Sequence, residues 1–156
     1  MRQTDKFLVA IVGGIVILVI VAFALILLRP EPQYRSDDTP ESAIYNYLLA
    51  LQREEYERAL GEISLDVPNR PQDGSEMEWD ISQDSWQFER YGDPSLVISG
   101  SRITGDHATV TLAETRSNGI FPGDVSSQEV VMRLKLEEGG WKLTGGNAYW
   151  AADWDD

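Results

Sequence analysis

From Phe7 to Leu28 the chain holds only apolar residues and glycine, whereas beyond Arg29 apolar positions recur first with a helical and then with a two-residue period. As a helix the first run would extend about 33 Å at 1.5 Å per residue. That length matches the roughly 30 Å hydrocarbon core of a bilayer and predicts a single transmembrane helix over residues 7–28. Ala22-Phe23-Ala24 has the small-x-small form of a signal-peptide cleavage site, but Leu25 to Leu28 continue the apolar run where a cleaved precursor turns polar. The segment is therefore read as retained. Arg2, Lys6 and the terminal amine precede it while Arg29 and Arg35 follow, which places residues 1–6 in the cytoplasm and the rest outside. Ala10 and Gly14 stand at small-xxx-small spacing, which would let two such helices pair as a homodimer; glycine is, however, common in membrane helices for other reasons.

Residues 29–38, with Pro30, Pro32 and several charges, read as a short extended linker. Thr39-Pro40 is a helix start: a hydroxyl able to cap and a proline where its missing N–H costs nothing. Ala43, Ile44, Tyr47, Leu48 and Leu51 then share one helical face. A second helical pattern runs from about Arg53 to Ile63, supported by a Glu54–Arg58 pair and weakened by Gly61. Ser64 to Glu78, rich in Pro, Asn, Asp and Gly, reads as a long loop, and Trp79 to Tyr91 as a third helix, with Trp79 and Trp86, and Ile81 and Phe88, each seven apart.

After Ser95 four segments alternate: Leu96 to Ile103, His107 to Arg116, Gln128 to Glu137 and Trp141 to Asn147. Gly105-Asp106 and Glu138-Gly139-Gly140 supply turns for antiparallel neighbours, and Ser117 to Ser127 makes the longer link. Helices followed by a strand meander define an α+β domain over residues 39–147, with the helices on one face of a curved four-stranded sheet. Residues 148–156 form an aromatic and acidic tail.

Composition narrows the chemistry. Among 156 residues there are 26 acidic against 13 basic, a net charge of −13, and no cysteine. Disulfides, thiolate metal sites and cysteine nucleophiles are excluded. Nucleic acid is a poor partner, because the basic residues are scattered among twice as many acids; anionic lipid headgroups are disfavoured on the same ground.

The runs Thr39-Pro40-Glu41-Ser42-Ala43-Ile44, Tyr47-Leu48-Leu49-Ala50-Leu51 and Glu55-Tyr56-Glu57-Arg58-Ala59-Leu60 resemble the opening helix pair of NTF2-like (cystatin-like α+β) domains. Val131 to Leu136 with Gly140-Trp141-Lys142-Leu143 resemble their closing hairpin. The likeness is strongest to the membrane-anchored, extracytoplasmic bacterial domains of unknown function. It implies a cone-shaped fold with a cavity between sheet and helices, and a place outside the cytoplasm.

Enzymes of that family set ionisable groups inside the cone, so strand parity becomes a test for chemistry. Ala108, Val110 and Leu112 share a face, as do Val130, Met132, Leu134 and Leu136, and Trp141 with Leu143. This inward set is expected to contain no acid, base or nucleophile. His107, the sole histidine, falls on the polar face beside a turn, and one histidine cannot form a histidine metal triad. Asp80, Asp84 and Glu89 would serve as general base only if they lined the cavity mouth, and a solvated helix face is the simpler reading. Asp153, Asp155 and Asp156 lack the preorganised oxygens that calcium requires. Trp79, Trp86, Phe88, Tyr91, Met132 and Trp141 are candidates to line an aromatic cavity for a small apolar ligand, with core packing as the alternative.

The expectation is a single-pass protein of the bacterial cell membrane, held in the lipid bilayer by residues 7–28. It presents a non-catalytic domain for interaction with another protein or as an accessory module, with no cofactor. Binding of a small apolar ligand is the alternative, and a carboxylate-dependent enzyme the third reading.

Overall fold

The computed structural model describes the backbone of residues 3–28, 31–91, 95–117 and 125–146, with side chains for 9–24, 28, 31–82, 96–115 and 126–146. It divides into two compact units, Met1–Gln33 and Tyr34–Asp156. The first is built on helix α1, Gln3–Leu27. Its described side chains, Val9 to Ala24, are uncharged and almost all exposed, Leu18 at 70%. Among the described residues no helix is long and apolar enough to cross a membrane. Val9 to Ala24 amounts to about 24 Å of helix. Of the expected span ends, Phe7 lies outside the described side chains, and Leu28 follows the last helical residue and is exposed.

The second unit carries helices α2 (Pro40–Gln52), α3 (Tyr56–Gly61) and α4 (Gly74–Tyr91), followed by strands β1 (Ser95–Thr104), β2 (His107–Ser117), β3 (Val125–Glu137) and β4 (Gly140–Gly146). Helix α2 begins as its sequence dictates, with the Thr39 side chain accepting from the Ser42 N–H at 3.2 Å and Pro40 in the first turn. Arg53 ends it. Glu54 then adopts a positive φ, 59°, a left-handed conformation costly for a side chain with a Cβ. The break confines the second helical pattern, expected from Arg53 to Ile63, to the six residues of α3.

Helix α4 starts at Gly74, ahead of the expected Trp79. Asp73 Oδ1 accepts from the N–H groups of Ser75 (3.0 Å) and Glu76 (2.9 Å), and Glu76 reaches back to the Gln72 N–H at 2.6 Å. Asp73 thus caps the helix, while Glu76 takes the N–H of the residue before the cap, a variant of the capping box. Glu57 Oε1 takes the Gly74 N–H at 2.8 Å, and a Cβ at Gly74 would lie 2.9 Å from the Glu57 backbone nitrogen, so glycine lets α3 and the start of α4 touch.

The sheet is an antiparallel meander in the order β1-β2-β3-β4. One face of it packs on α2, and α3 and α4 complete a core around Ile44, Tyr47, Leu60, Met77, Met132 and Leu134, with Trp141 and Leu143 from β4. The loop after α3 runs alongside β4: Ser64 N–H donates to Leu143 O at 2.8 Å, Leu143 N–H to Glu62 O at 2.9 Å, and Ile63 forms a parallel bridge with Leu143. The architecture is α+β, with helices α2 to α4 set against four antiparallel strands.

Candidate functional site

Alternation along β2 carries the concave row past its last apolar residue. Ala108, Val110 and Leu112 are buried, and so is Glu114, at 1% exposure. The expectation of an inward set without an acid is therefore corrected. Glu114 stands two residues beyond Leu112 in an unbroken strand and must share its face. In register it lies between Leu96 of β1 and Gln128 of β3. Gln128 Nε2 donates to Glu114 Oε2 at 2.8 Å, and Glu114 has a further interaction besides this one. Around it stand Leu96, Ile98, Leu112 and Val130, so a hydrogen-bonded carboxylate sits at one end of an apolar concave surface.

A second polar group is buried in the same core. The Tyr47 hydroxyl has no hydrogen-bond partner among the described residues, and burial pushes its pKa above the usual tyrosine value. It is a donor enclosed by the apolar core, the kind of group that costs free energy unless something pairs with it.

The residues singled out from the sequence do not assemble into one wall. Met132 and Trp141 are buried in the core. Trp79 is 62% exposed instead of lining a cavity. The reason is that α4 packs through Met77 and Ile81, and a residue two positions from Met77 points about 200° around the helix. The side chains of Trp86, Phe88 and Tyr91 lie outside the described residues, as do those of Asp84 and Glu89 and the whole of 147–156. Asp80 is half-buried on α4. His107 is exposed at the β1–β2 turn with Nδ1 2.7 Å from Asp106 Oδ1, a bond that lowers the Asp106 pKa. Among the described residues no group of three or more His, Asp or Glu is placed to hold a metal ion.

A shallow cleft of about 480 Å³ opens on the outside, where Glu54, Glu57, Glu78 and Ser75 meet Arg58. Two of its carboxylates already have partners within the fold: Glu57 takes the Gly74 N–H, and Glu55 accepts from the Tyr34 hydroxyl at 2.9 Å.

Removing the Glu114 side chain tests whether it is part of the core's hydrogen bonding. Glu114→Ala is expected to lower stability by about 0.5–1.5 kcal/mol, the net contribution of one hydrogen bond, because Gln128 is exposed and its amide can turn to water, while Glu114→Gln, which keeps an acceptor oxygen, costs less. Urea midpoints of the two variants measure this; equal values would show that the carboxylate's hydrogen bond does not matter.

No protein-family model and no curated protein matches the chain. Solved structures do share its fold. A SEC-C motif containing protein of Rhodopseudomonas palustris superposes with a TM-score of 0.50 at 17% identity, over 74% of this chain and 82% of that one. An NTF-2 like protein of unknown function from Shewanella oneidensis MR-1 gives 0.44 at 12% identity, over 69% and 97%. A protein of the NTF2-like family from Streptomyces avermitilis, provisionally described as a dehydratase, gives 0.40 at 15% identity, over 67% and 88%. The likeness to the first of these concerns the fold alone, helices followed by an antiparallel meander that packs on them.

Proposed function

We propose that the chain is a single-pass membrane protein whose NTF2-like domain stands on the outer face of a bacterial membrane as a non-catalytic interaction or accessory module. The observation that supports the anchor is the surface of α1: its described side chains are apolar around the whole helix, with Val9, Leu18, Ile20 and Phe23 all exposed. A helix apolar on every side is at home within protein or within lipid, not in water. From Phe7 to Leu27 the helix carries only apolar residues and glycine in its sequence and measures about 32 Å, enough for a bilayer.

Within the domain, the concave face is occupied by its own side chains, Tyr47, Met77, Met132 and Trp141 among them. The outer surface then offers the larger area for a partner. The protein should resist carbonate extraction from membranes, and its domain should be digested by protease added outside intact cells. A soluble product that begins near Leu25 would overturn the anchor, and a domain protected from external protease would overturn the orientation.

A second reading is favoured by Glu114. Its carboxylate is buried at the end of an apolar row, and a small, mostly apolar ligand that displaced the side chains covering it would be oriented by it or meet it as a base. A rise in melting temperature with a small aromatic alcohol, lost in Glu114→Gln, would move the proposal toward this reading.

A further inference from the structure

Helix α2 packs on the face of the sheet that holds Val110, Leu112, Met132 and Leu134. Strand alternation sends the residues between them to the other face. Across β1, β2 and β3 the central rows of that outer face read Val97–Ala113–Glu129, Gly100–Thr111–Val131 and Arg102–Thr109–Arg133. A bulge between Ile98 and Gly100 shifts β1 by one residue and so turns Gly100 and Arg102 to this side. The middle row is flat, with nothing larger than valine. Val97 is 60% and Val131 37% exposed, and Arg102, Glu129 and Arg133 are exposed with them.

On β3 the two charges stand at equal distances from the middle row, Glu129 two residues before Val131 and Arg133 two residues after it. Glu129 makes no hydrogen bond or ion pair among the described residues. Arg133 has an interaction within its own chain, and a guanidinium with five donors serves a second acceptor as well.

This arrangement is complementary to itself. A two-fold axis that crosses the strands at Thr111 lays each strand over its own counterpart in the reverse direction, so that Arg133 of each copy faces Glu129 of the other and the Arg102 stem lies on Val97. An axis along β2 would instead set Arg102 over Arg133, like charge against like, and is disfavoured. The rotation of about 30° between aligned sheets displaces these pairs by no more than long side chains can span. Two chains of net charge −13 repel each other, and that repulsion is weakest through rows in which two arginines stand against one glutamate.

We infer that this outer face is where two copies of the chain meet, in an isologous dimer held by two Arg133–Glu129 pairs around a flat centre of Gly100, Thr111 and Val131. The inference rests on the reading of the domain as an interaction module, to which it gives a partner, and needs nothing from the membrane anchor.

The test uses the full chain in nonionic detergent micelles and sedimentation equilibrium. The parent should be dimeric. Glu129→Arg, which sets arginine against arginine, should raise the dimer dissociation constant about tenfold or more, and so should Arg133→Glu, whereas the chain carrying both changes should return to within about threefold of the parent. Melting temperatures close to the parent's show that the variants are folded; where Arg133→Glu is not, Glu129→Arg and the following cross-link decide. Because the chain has no cysteine, Thr111→Cys gives one site in the middle row, and a short bismaleimide should join two copies there but not through Glu138→Cys in the β3–β4 turn. A monomeric parent overturns the inference. So does a dimer indifferent to both charge reversals, which is what pairing through α1 would give, or cross-linking at 138 as readily as at 111. The micelle assay is independent of carbonate extraction and external protease, so a failed anchor leaves it standing, and a failed face leaves the interaction module to a different protein.

Discussion

Gly146→Ala is expected to destabilise the domain by about 3 kcal/mol or more, or to prevent it from accumulating in folded form. A methyl group at this position would lie 2.2 Å from Val131 O and 2.8 Å from Met132 Cα, both in the facing strand β3. The backbone has a φ of 135°, which residues with a Cβ avoid. The two costs add: backbone strain of about 1–3 kcal/mol and overpacking of similar size. The strand cannot retreat, because Gly146 pairs with Met132 while Leu143 and Leu134 pair across the register shift. The urea midpoint measures the effect, and a variant as stable as the parent would show that β4 ends differently from the geometry described here.

Met132→Ala is expected to cost about 2–5 kcal/mol, the range for removing a large buried side chain and leaving a cavity. Met132 is buried where the middle of the sheet meets the helices, beside Val110 in register. His107→Gln serves as the comparison, because its ring is exposed beside the Gly105-Asp106 turn. That change should remain under about 0.5 kcal/mol, as for an ordinary surface site. Equal losses in the two variants would mean that strand parity does not separate core from solvent in this sheet.

Parity was legible because period-two alternation is a property of the strand itself, and Ala108, Val110, Val130, Met132, Leu134, Trp141 and Leu143 are buried as spacing required. Leu136, at the end of its row, is instead 42% exposed, because the concave face runs out where β3 nears its turn. Thr39-Pro40 was legible for a similar reason, since capping is chemistry within four residues. Other features depended on contacts that sequence spacing does not display. The start of α4 was hidden because the residues that cap it, Asp73 and Glu76, sit in a stretch whose composition resembles a loop. The exposure of Trp79 follows from the choice of Met77 and Ile81 as the packing face, which contact with α3 and the core decides and local periodicity leaves open.

Glu114 was missed for a different reason. The inward row was closed at its last apolar member, as though burial required apolarity, whereas the strand's geometry buries whatever residue comes next and Gln128 on the neighbouring strand makes that tolerable. Tyr34 and Arg35 are held to the domain by Asn46, Arg53, Glu55 and Arg58, which lie well along the sequence and come close only after α2 and α3 have folded.

The bridge between Ile63 and Leu143 also bears on the order in which the domain can be completed during synthesis. The meander joins only sequence neighbours, so each hairpin can form as soon as its second strand emerges. The edge that receives the segment after α3 belongs to β4, the last strand among the described residues, which the ribosome delivers only after α4 and β1 to β3. Until β4 arrives, Leu60 and Ile63 have no Leu143 to cover them, and the backbone of Glu62 and Ser64 has no partner strand. The growing chain therefore carries an exposed apolar segment for much of its synthesis, and the interval is set by how fast the C-terminal part is translated. Slow codons placed after Glu137 would lengthen it and increase the share of chains lost to aggregation or proteolysis.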